Sequence, residues 1–379
     1  MRYAFSIMNE SNNPFPVSGY RGQAYFCDRE SEIETLHDHL INERNVLLFG
    51  WRRLGKTALL QRFFELLEQT GWETLYIDLL MTRSGAGALN VIADSILRTF
   101  GSVGGGLSPG LVKLLSRIGA QISFNAQTGQ PKVSMGLRPD VPVRSTLETL
   151  GDYLTSLDKK IVIALDEFQR VSEYEDLDGE AWFRSRAQSY PNIRFIYCGS
   201  HRGVLESMFL EKNRPFYRST QNISLEPIER EVYTRFISAQ FAKGSVAVAD
   251  AVAMAIYDWA QGQTYAVQLQ CNKLYGAGVH PAVEAVNQIQ REILDQEKSV
   301  FQQVVRLLTD NQWNLLKAIA LSGGVRSVYE SSFLRENGLG SQASVQTALK
   351  KLLEQEIVVR DRENYRVHDV LFARWIQNL

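Results

Sequence analysis

Gly50, Gly55, Lys56 and Thr57 stand in the spacing GxxxxGKT within NVLLFGWRRLGKTALLQRF, Asn45 to Phe63. Glycines there let successive backbone N–H groups converge on a phosphate. A lysine neutralises terminal-phosphate charge, and a threonine hydroxyl can ligate magnesium. Trp51, Arg52, Arg53 and Leu54, with Ala58 beyond, complete the expected cradle. A second candidate pair, Asp166 and Glu167, closes the apolar run in KKIVIALDEFQRV. An aspartate so placed can hold magnesium through water, and the next acid can activate an attacking water. The same two acids would also suit a helix N-terminus. At the end of NIRFIYCGS, Ser200 or His201 is the polar group expected to touch the attacking water or the terminal phosphate, although His201 equally suits a surface.

These groups need a scaffold, and the flanking sequence supplies one. NVLLFG has strand character and ends at Gly50, while KTALLQRFFELLEQTG sets Leu59, Leu60, Phe63, Phe64 and Leu67 at helical spacing before Gly71. Strand, glycine loop and helix in that order are the context a phosphate loop requires. Ile161 to Leu165 is unbroken apolar chain, as in a strand buried on both faces of a parallel sheet, with ligands at the strand ends. WETLYIDLL, NIRFIYCGS and TQNISLEP bring the total to about five strands. The expected fold is therefore α/β: a mostly parallel sheet of the P-loop nucleotide-binding kind, sandwiched by helices. Between Phe100 and Arg144 a glycine-rich turn and a polar hairpin centred on Gln127 to Gln130 read as an insertion.

Downstream, AVADAVAMAIYDWAQGQTYAVQLQCNKLY and HPAVEAVNQIQREILDQEKSVFQQVVRLL are apolar at helical spacing and poor in turn residues, giving a helical lid domain with a hinge near Glu226 and Pro227. From Thr309 the pattern becomes helix, short helix, turn at Gly338 to Ser341, longer helix over about Gln342 to Glu354, then a hairpin around RDREN. That is a winged helix, whose third helix can enter a major groove. Lys350, Lys351, Arg360, Arg362 and Arg366 could contact phosphates, but Glu354, Glu356, Asp361 and Glu363 are interleaved with them. The alternative is a small docking module with solvated charges. The domains expected are 1–228 for the sheet unit (1–43 leading into it, about 100–144 inserted), 229–305 for the lid and 306–379 for the winged helix.

Composition narrows the classes. With 379 residues, 41 Lys plus Arg against 42 Asp plus Glu leave a formal charge of -1, so no global basic field draws the chain to nucleic acid or acidic lipid. Cys27, Cys198 and Cys271 form no CxxC or Cys/His cluster, which argues against structural zinc or a disulfide framework. No window holds a membrane-length apolar run, so a cytoplasmic protein with no membrane partner is expected.

Taken together, YFCDRESEIETL, FGWRRLGKTALL, IVIALDEFQ, IYCGSHRGVLESMF, NRPFYRSTQNISLEPI and AQGQTYAVQLQCNKLY resemble the predominantly archaeal ATPases of the AAA+/STAND group, in a version also widespread in bacteria. The resemblance implies an ATP/ADP site with Mg2+, and Phe26, Asp28, Arg29 and Glu30 beside adenine and ribose. It also implies that Arg214 or Arg218 reaches a neighbouring copy's phosphate, as in a homo-oligomer, each suiting a surface cation equally. Related proteins commonly read Gly-Gly-His-Pro before the helix packed over the base. Here the run is Gln261, Gly262, Gln263, Thr264, so Thr264 takes the base-contacting position without proline's fixed turn, or caps and packs the helix with Tyr265. The function implied is an ATP-binding, magnesium-dependent P-loop ATPase acting as a nucleotide-driven switch or motor subunit, its turnover dependent on a protein partner or not. The alternative is a winged-helix DNA-binding regulator that uses ATP as a ligand with little turnover.

Overall fold

Runs of leucine, isoleucine and valine form five parallel strands: β1 (Val46–Gly50), β2 (Glu73–Asp78), β7 (Ile161–Asp166), β8 (Ile193–Gly199) and β9 (Gln221–Leu225), in the order β2-β7-β8-β1-β9. The computed structural model describes residues 13–379 except 101, 104–105, 108–109, 112, 115–119, 125–130, 136–142 and 362. Two compact units result. The sheet unit takes Arg29–Arg52 and Lys56–Glu226; the C-terminal unit takes Arg53–Gly55, Pro227–Leu379 and the N-terminal residues through Asp28.

Within the sheet unit every residue of β1 and β7 is buried, as expected of strands covered on both faces. The order has one consequence for chemistry. The strand ending in the glycine loop (β1) and the strand ending in Asp166 (β7) are not neighbours; β8 lies between them and pairs with both. Whatever follows β8 is thus delivered between the two motifs. Helices α1 (Glu30–Ile41), α2 (Lys56–Glu68), α3 (Gly85–Phe100), α4 (Val143–Ser156), α5 (Gly179–Ala187) and α6 (Arg202–Leu210) belong to the same unit. The inserted region contains β3 (Ser102–Val103) paired with β4 (Gly106–Leu107), and β5 (Ala120–Phe124) paired antiparallel with β6 (Pro131–Met135). The expected turn at Gln127 to Gln130 lies outside the described residues.

The C-terminal unit opens with α7 (Arg230–Lys243), α8 (Asp250–Trp259), α9 (Thr264–Gly276) and the long α10 (Val283–Arg306). A winged helix follows as α11 (Asp310–Leu321), α12 (Ser331–Glu336), α13 (Gln342–Glu354), the hairpin β10 (Val358–Asp361) with β11 (Asn364–Val367), and α14 (Val370–Gln377). Thr309 and Gln312 form a reciprocal capping box that starts α11. One apolar core runs through α7 to α10 and the winged helix, from Phe15, Tyr233 and Phe241 to Leu316, Leu349 and Leu371. Phe301 near the end of α10 stacks on Phe372, ring centroids 5.1 Å apart, so the joint between the two helical parts is packed. Among the described residues no helix is long and apolar enough to cross a membrane.

Candidate functional site

The glycine loop leaves β1 at Gly50 and re-enters helix at Lys56, the first residue of α2. The first N–H groups of any helix lack intrahelical acceptors, which makes this end an anion-binding position. Gly55 has φ +94, a conformation L side chains rarely adopt, so the second motif glycine is required by the backbone. Lys56 is buried and donates to the carbonyls of Gly50 at 2.7 Å and Trp51 at 3.1 Å, bracing the loop it closes. Burial pushes its ammonium below the ordinary value, and the carboxylate of Asp166 offsets part of that. Trp51 is buried under the guanidinium of Arg202, 5.4 Å from the ring centroid. Ala58 lies in the first turn of α2.

Asp166, buried at the end of β7, collects donors from several elements. Tyr76 of β2 donates its phenol to Oδ2, Thr57 Oγ1 lies 3.4 Å from the same oxygen, and the backbone N–H of Glu167 reaches Oδ1 at 2.9 Å. Burial and the adjacent carboxylate push the Tyr76 phenol far above its ordinary value, keeping it a donor. Burial also raises the Cys198 thiol, whose sulfur lies 3.4 Å from Asp166 Oδ1. The Thr57 hydroxyl and the Asp166 carboxylate therefore converge, and as oxygen ligands they would suit a divalent cation. Among the described residues no group of three or more His, Cys, Asp or Glu is placed to hold a metal ion.

Glu167 sits in the left-handed region, φ 53 and ψ 41, a sparsely populated state for glutamate. It is fixed from both sides. Phe168 is fully buried among Tyr197, Phe209 and Phe216, with ring centroids 4.6 to 5.9 Å away, so the following residue cannot relax outward. The carboxylate accepts from Gln169 Nε2 and from Ser200 Oγ, which lies 3.0 and 3.1 Å from its two oxygens. Gln169 owes its place to Gly199: a Cβ there would fall 2.2 Å from the Gln169 amide oxygen. Ser200 also accepts from Arg52 Nε at 3.2 Å. Lys56, Thr57, Asp166, Glu167, Ser200 and Arg52 thus form one cluster at the carboxyl ends of β1, β7 and β8.

Other sequence-derived candidates have partners of their own. Arg53, φ 67, turns its guanidinium to Asp369 at 2.8 Å and over the Tyr265 ring at 4.6 Å. Within the same C-terminal unit, Thr264 Oγ1 donates to the carbonyl of Leu54 at 3.2 Å, and the Tyr265 N–H donates to that of Arg53 at 3.1 Å. The start of α9 is thus bonded to the tip of the glycine loop. Phe26 lies edge-on to Tyr20 at 5.9 Å in the C-terminal unit. Arg29, buried and left-handed at φ 81, precedes α1 in the sheet unit and pairs with Glu32 at 2.6 Å. Arg214 pairs with Glu180 at 2.5 Å, and exposed Arg218 lies over Tyr217 at 5.4 Å. On the winged helix, Lys350 and Lys351 lie 3.9 and 2.7 Å from Glu354, Arg360 covers Tyr365 at 5.7 Å, and Arg366 pairs with Asp361 at 3.1 Å. Arg362 lies outside the described residues. Tyr76 and Gln169 were missed by sequence reasoning. A tyrosine two residues before the end of a strand, and a glutamine two residues after an acid, are the faint signals that could have found them.

A family model described as an ATPase domain predominantly from Archaea matches residues 26–269. The chain belongs to that family. A second model, a probable winged helix domain, matches residues 299–378. Among solved structures, the chain is similar to the Walker-type ATPase paby2304 of Pyrococcus abyssi, at 20% identity and TM-score 0.69, over 96% of this chain and 99% of that one. It is also similar to the ORC2 protein of Aeropyrum pernix, solved as ADPNP-ADP complexes, at 14% identity and TM-score 0.62, over 97% and 96% of the two chains. The ORC1 protein of the same organism, solved in complex with DNA, matches at 15% identity and TM-score 0.51, over 93% of each chain. A comparison with curated proteins gave no match. At such identities the likeness shows the fold, which is that of a P-loop ATPase with a C-terminal winged helix.

Proposed function

We propose that this family member binds ATP with magnesium and hydrolyses it, and that its nucleotide state acts as a switch on the C-terminal unit. The observation that carries the reading is the Ser200–Glu167–Asp166–Thr57 cluster beside Lys56, in which a carboxylate held in a strained backbone conformation faces the phosphate loop. Lys56 and the loop N–H groups bind the phosphates. Magnesium, held by Thr57 and Asp166, would offset charge on the phosphate oxygens. Glu167 accepts the proton of the attacking water, and Ser200 keeps its carboxylate aimed. Adenine is proposed on family membership. The switch is supported by the bonds from Thr264 and Tyr265 to the loop tip and from Arg53 to Asp369, at the start of α14: a loop that rearranges around phosphate pulls on both helices. Magnesium-dependent ATP turnover by wild type and by Glu167→Gln tests the proposal. Binding retained and turnover lost in the variant is the expected outcome; equal turnover in both would refute the assignment.

A second reading, duplex DNA as a partner, is favoured by one feature: α13 and the β10–β11 wing carry Lys350, Lys351 and Arg360. Binding that weakens with salt, and weakens again on replacing both lysines, is expected if this surface reads phosphates. A surface that docks protein instead would give no duplex affinity at low salt.

A further inference from the structure

Two charged side chains of the glycine loop enter the Asp166–Glu167 cluster. One is Lys56, whose work is bracing the loop and meeting phosphate; the other is Arg52. Its Nε lies 3.2 Å from Ser200 Oγ, and that oxygen lies 3.0 and 3.1 Å from the two oxygens of Glu167. The direction of this chain follows from chemistry. A guanidinium N–H can only donate, so Ser200 accepts from Arg52 and spends its single proton on the carboxylate. A hydroxyl polarised by a cation on its oxygen is a stronger donor, and Ser200 is buried, so water does not dilute the effect. Glu167 needs such holding, because its left-handed backbone gives it no intrinsic preference for the orientation observed.

We propose that Arg52 is a positioning residue for hydrolysis: acting through Ser200, it fixes the carboxylate of Glu167 from within the loop that surrounds the phosphates. Loop geometry and base geometry are then one variable. A loop shaped around a nucleotide carries Arg52, and hence Glu167, with it. The inference rests on Glu167 being the base.

The test is a double-mutant cycle on the full chain, with kcat, KM and ATP affinity measured for wild type, Arg52→Ala, Ser200→Ala, the pair, Ser200→Thr, and Glu167→Gln as reference. Each single alanine change should lower kcat about 10- to 100-fold, the scale of a misplaced base, with KM and ATP affinity within about threefold of wild type. The pair should be no worse than the weaker single variant, because both changes break one chain. Ser200→Thr keeps the hydroxyl and should keep kcat within about threefold. Single effects that multiply in the pair would overturn the proposal, as would an Arg52→Ala change that weakens ATP binding and leaves kcat intact. If Glu167→Gln abolishes turnover while both alanine variants match wild type, the relay fails and the hydrolase reading stands. Turnover retained in Glu167→Gln, or absent from a wild type that binds ATP, removes the base and overturns both.

Discussion

Replacing Arg214 with alanine separates two roles that one arginine can play. Its guanidinium pairs with Glu180 at 2.5 Å; the arginine side chain is 34% exposed and the glutamate 9%. Breaking a fully buried pair costs about 3 to 5 kcal/mol, because the surviving charge stays desolvated, whereas an exposed pair is worth about 0 to 1. With one partner buried and the other a third exposed, the expected loss is about 2 kcal/mol. Its pH dependence has a definite sign. Burial raises Glu180 above its ordinary value of 4.5, and Arg214 draws it part of the way back, so removing the arginine lifts the folded-state value further. A carboxyl with a raised folded-state value contributes its full stability below the unfolded value and loses it as pH rises through the folded one. The Arg214→Ala penalty should therefore be largest at neutral pH and should shrink as pH falls through the raised folded-state values, which lie above 4.5. Urea denaturation of both proteins at pH 7.5 and at about pH 4, with ATP turnover per folded molecule at pH 7.5, reads all three quantities. Unchanged stability with turnover lost would refute this reasoning and make Arg214 the cation reaching a neighbouring copy's phosphate.

Tyr76→Phe should destabilise the nucleotide-free protein by about 1 to 2 kcal/mol, since a donor to a buried carboxylate is lost. The cost should fall when magnesium and ATP are present, because metal and phenol compete for Asp166; an equal cost in both states, read by urea denaturation, would show no competition. Gly199→Ala drives a methyl into the Gln169 amide, and should cost about 1 to 3 kcal/mol and lower kcat with little change in ATP affinity; wild-type kcat would mean that Gln169 does not hold Glu167. Alkaline pH should weaken the fold. Burial holds Tyr190 up to about 12, and Tyr197 and Tyr233 higher still, above the unfolded value near 10, so their stabilising contribution is full below pH 10 and is lost as pH climbs past it. A urea midpoint flat from pH 8 to 11 at fixed ionic strength would contradict this.

What could be read in advance was whatever depends on local pattern. GxxxxGKT, the apolar run into Asp166 and Glu167, and the helix–turn–helix–hairpin order from Thr309 each have a physical reason to occur as contiguous sequence, and each appears as a contiguous element. What stayed hidden was set by strand order. Ser200 could be nominated but not placed until β8 was seen between β1 and β7, and only that order brings Arg52, Ser200 and Glu167 into one chain of hydrogen bonds. Tyr76 reaches Asp166 because β2 pairs with β7 so that Asp78 lies opposite Asp166, a register that the sequence of neither strand encodes alone. Arg53 and Asp369 are separated by most of the chain, and nothing in either neighbourhood announces the pair. The loop's two adjacent arginines look interchangeable in sequence. The structure gives them different partners, Ser200 for Arg52 and Asp369 for Arg53, which has a positive φ. One arginine is thereby tied through Ser200 to Glu167 and the other to the start of α14. If both bonds depend on the shape of the loop, Arg53→Ala should leave kcat near that of wild type and loosen α14. Faster amide exchange at Leu371 and Phe372 is its expected signature, since both N–H groups donate to the Asp369 carboxylate that Arg53 holds in place.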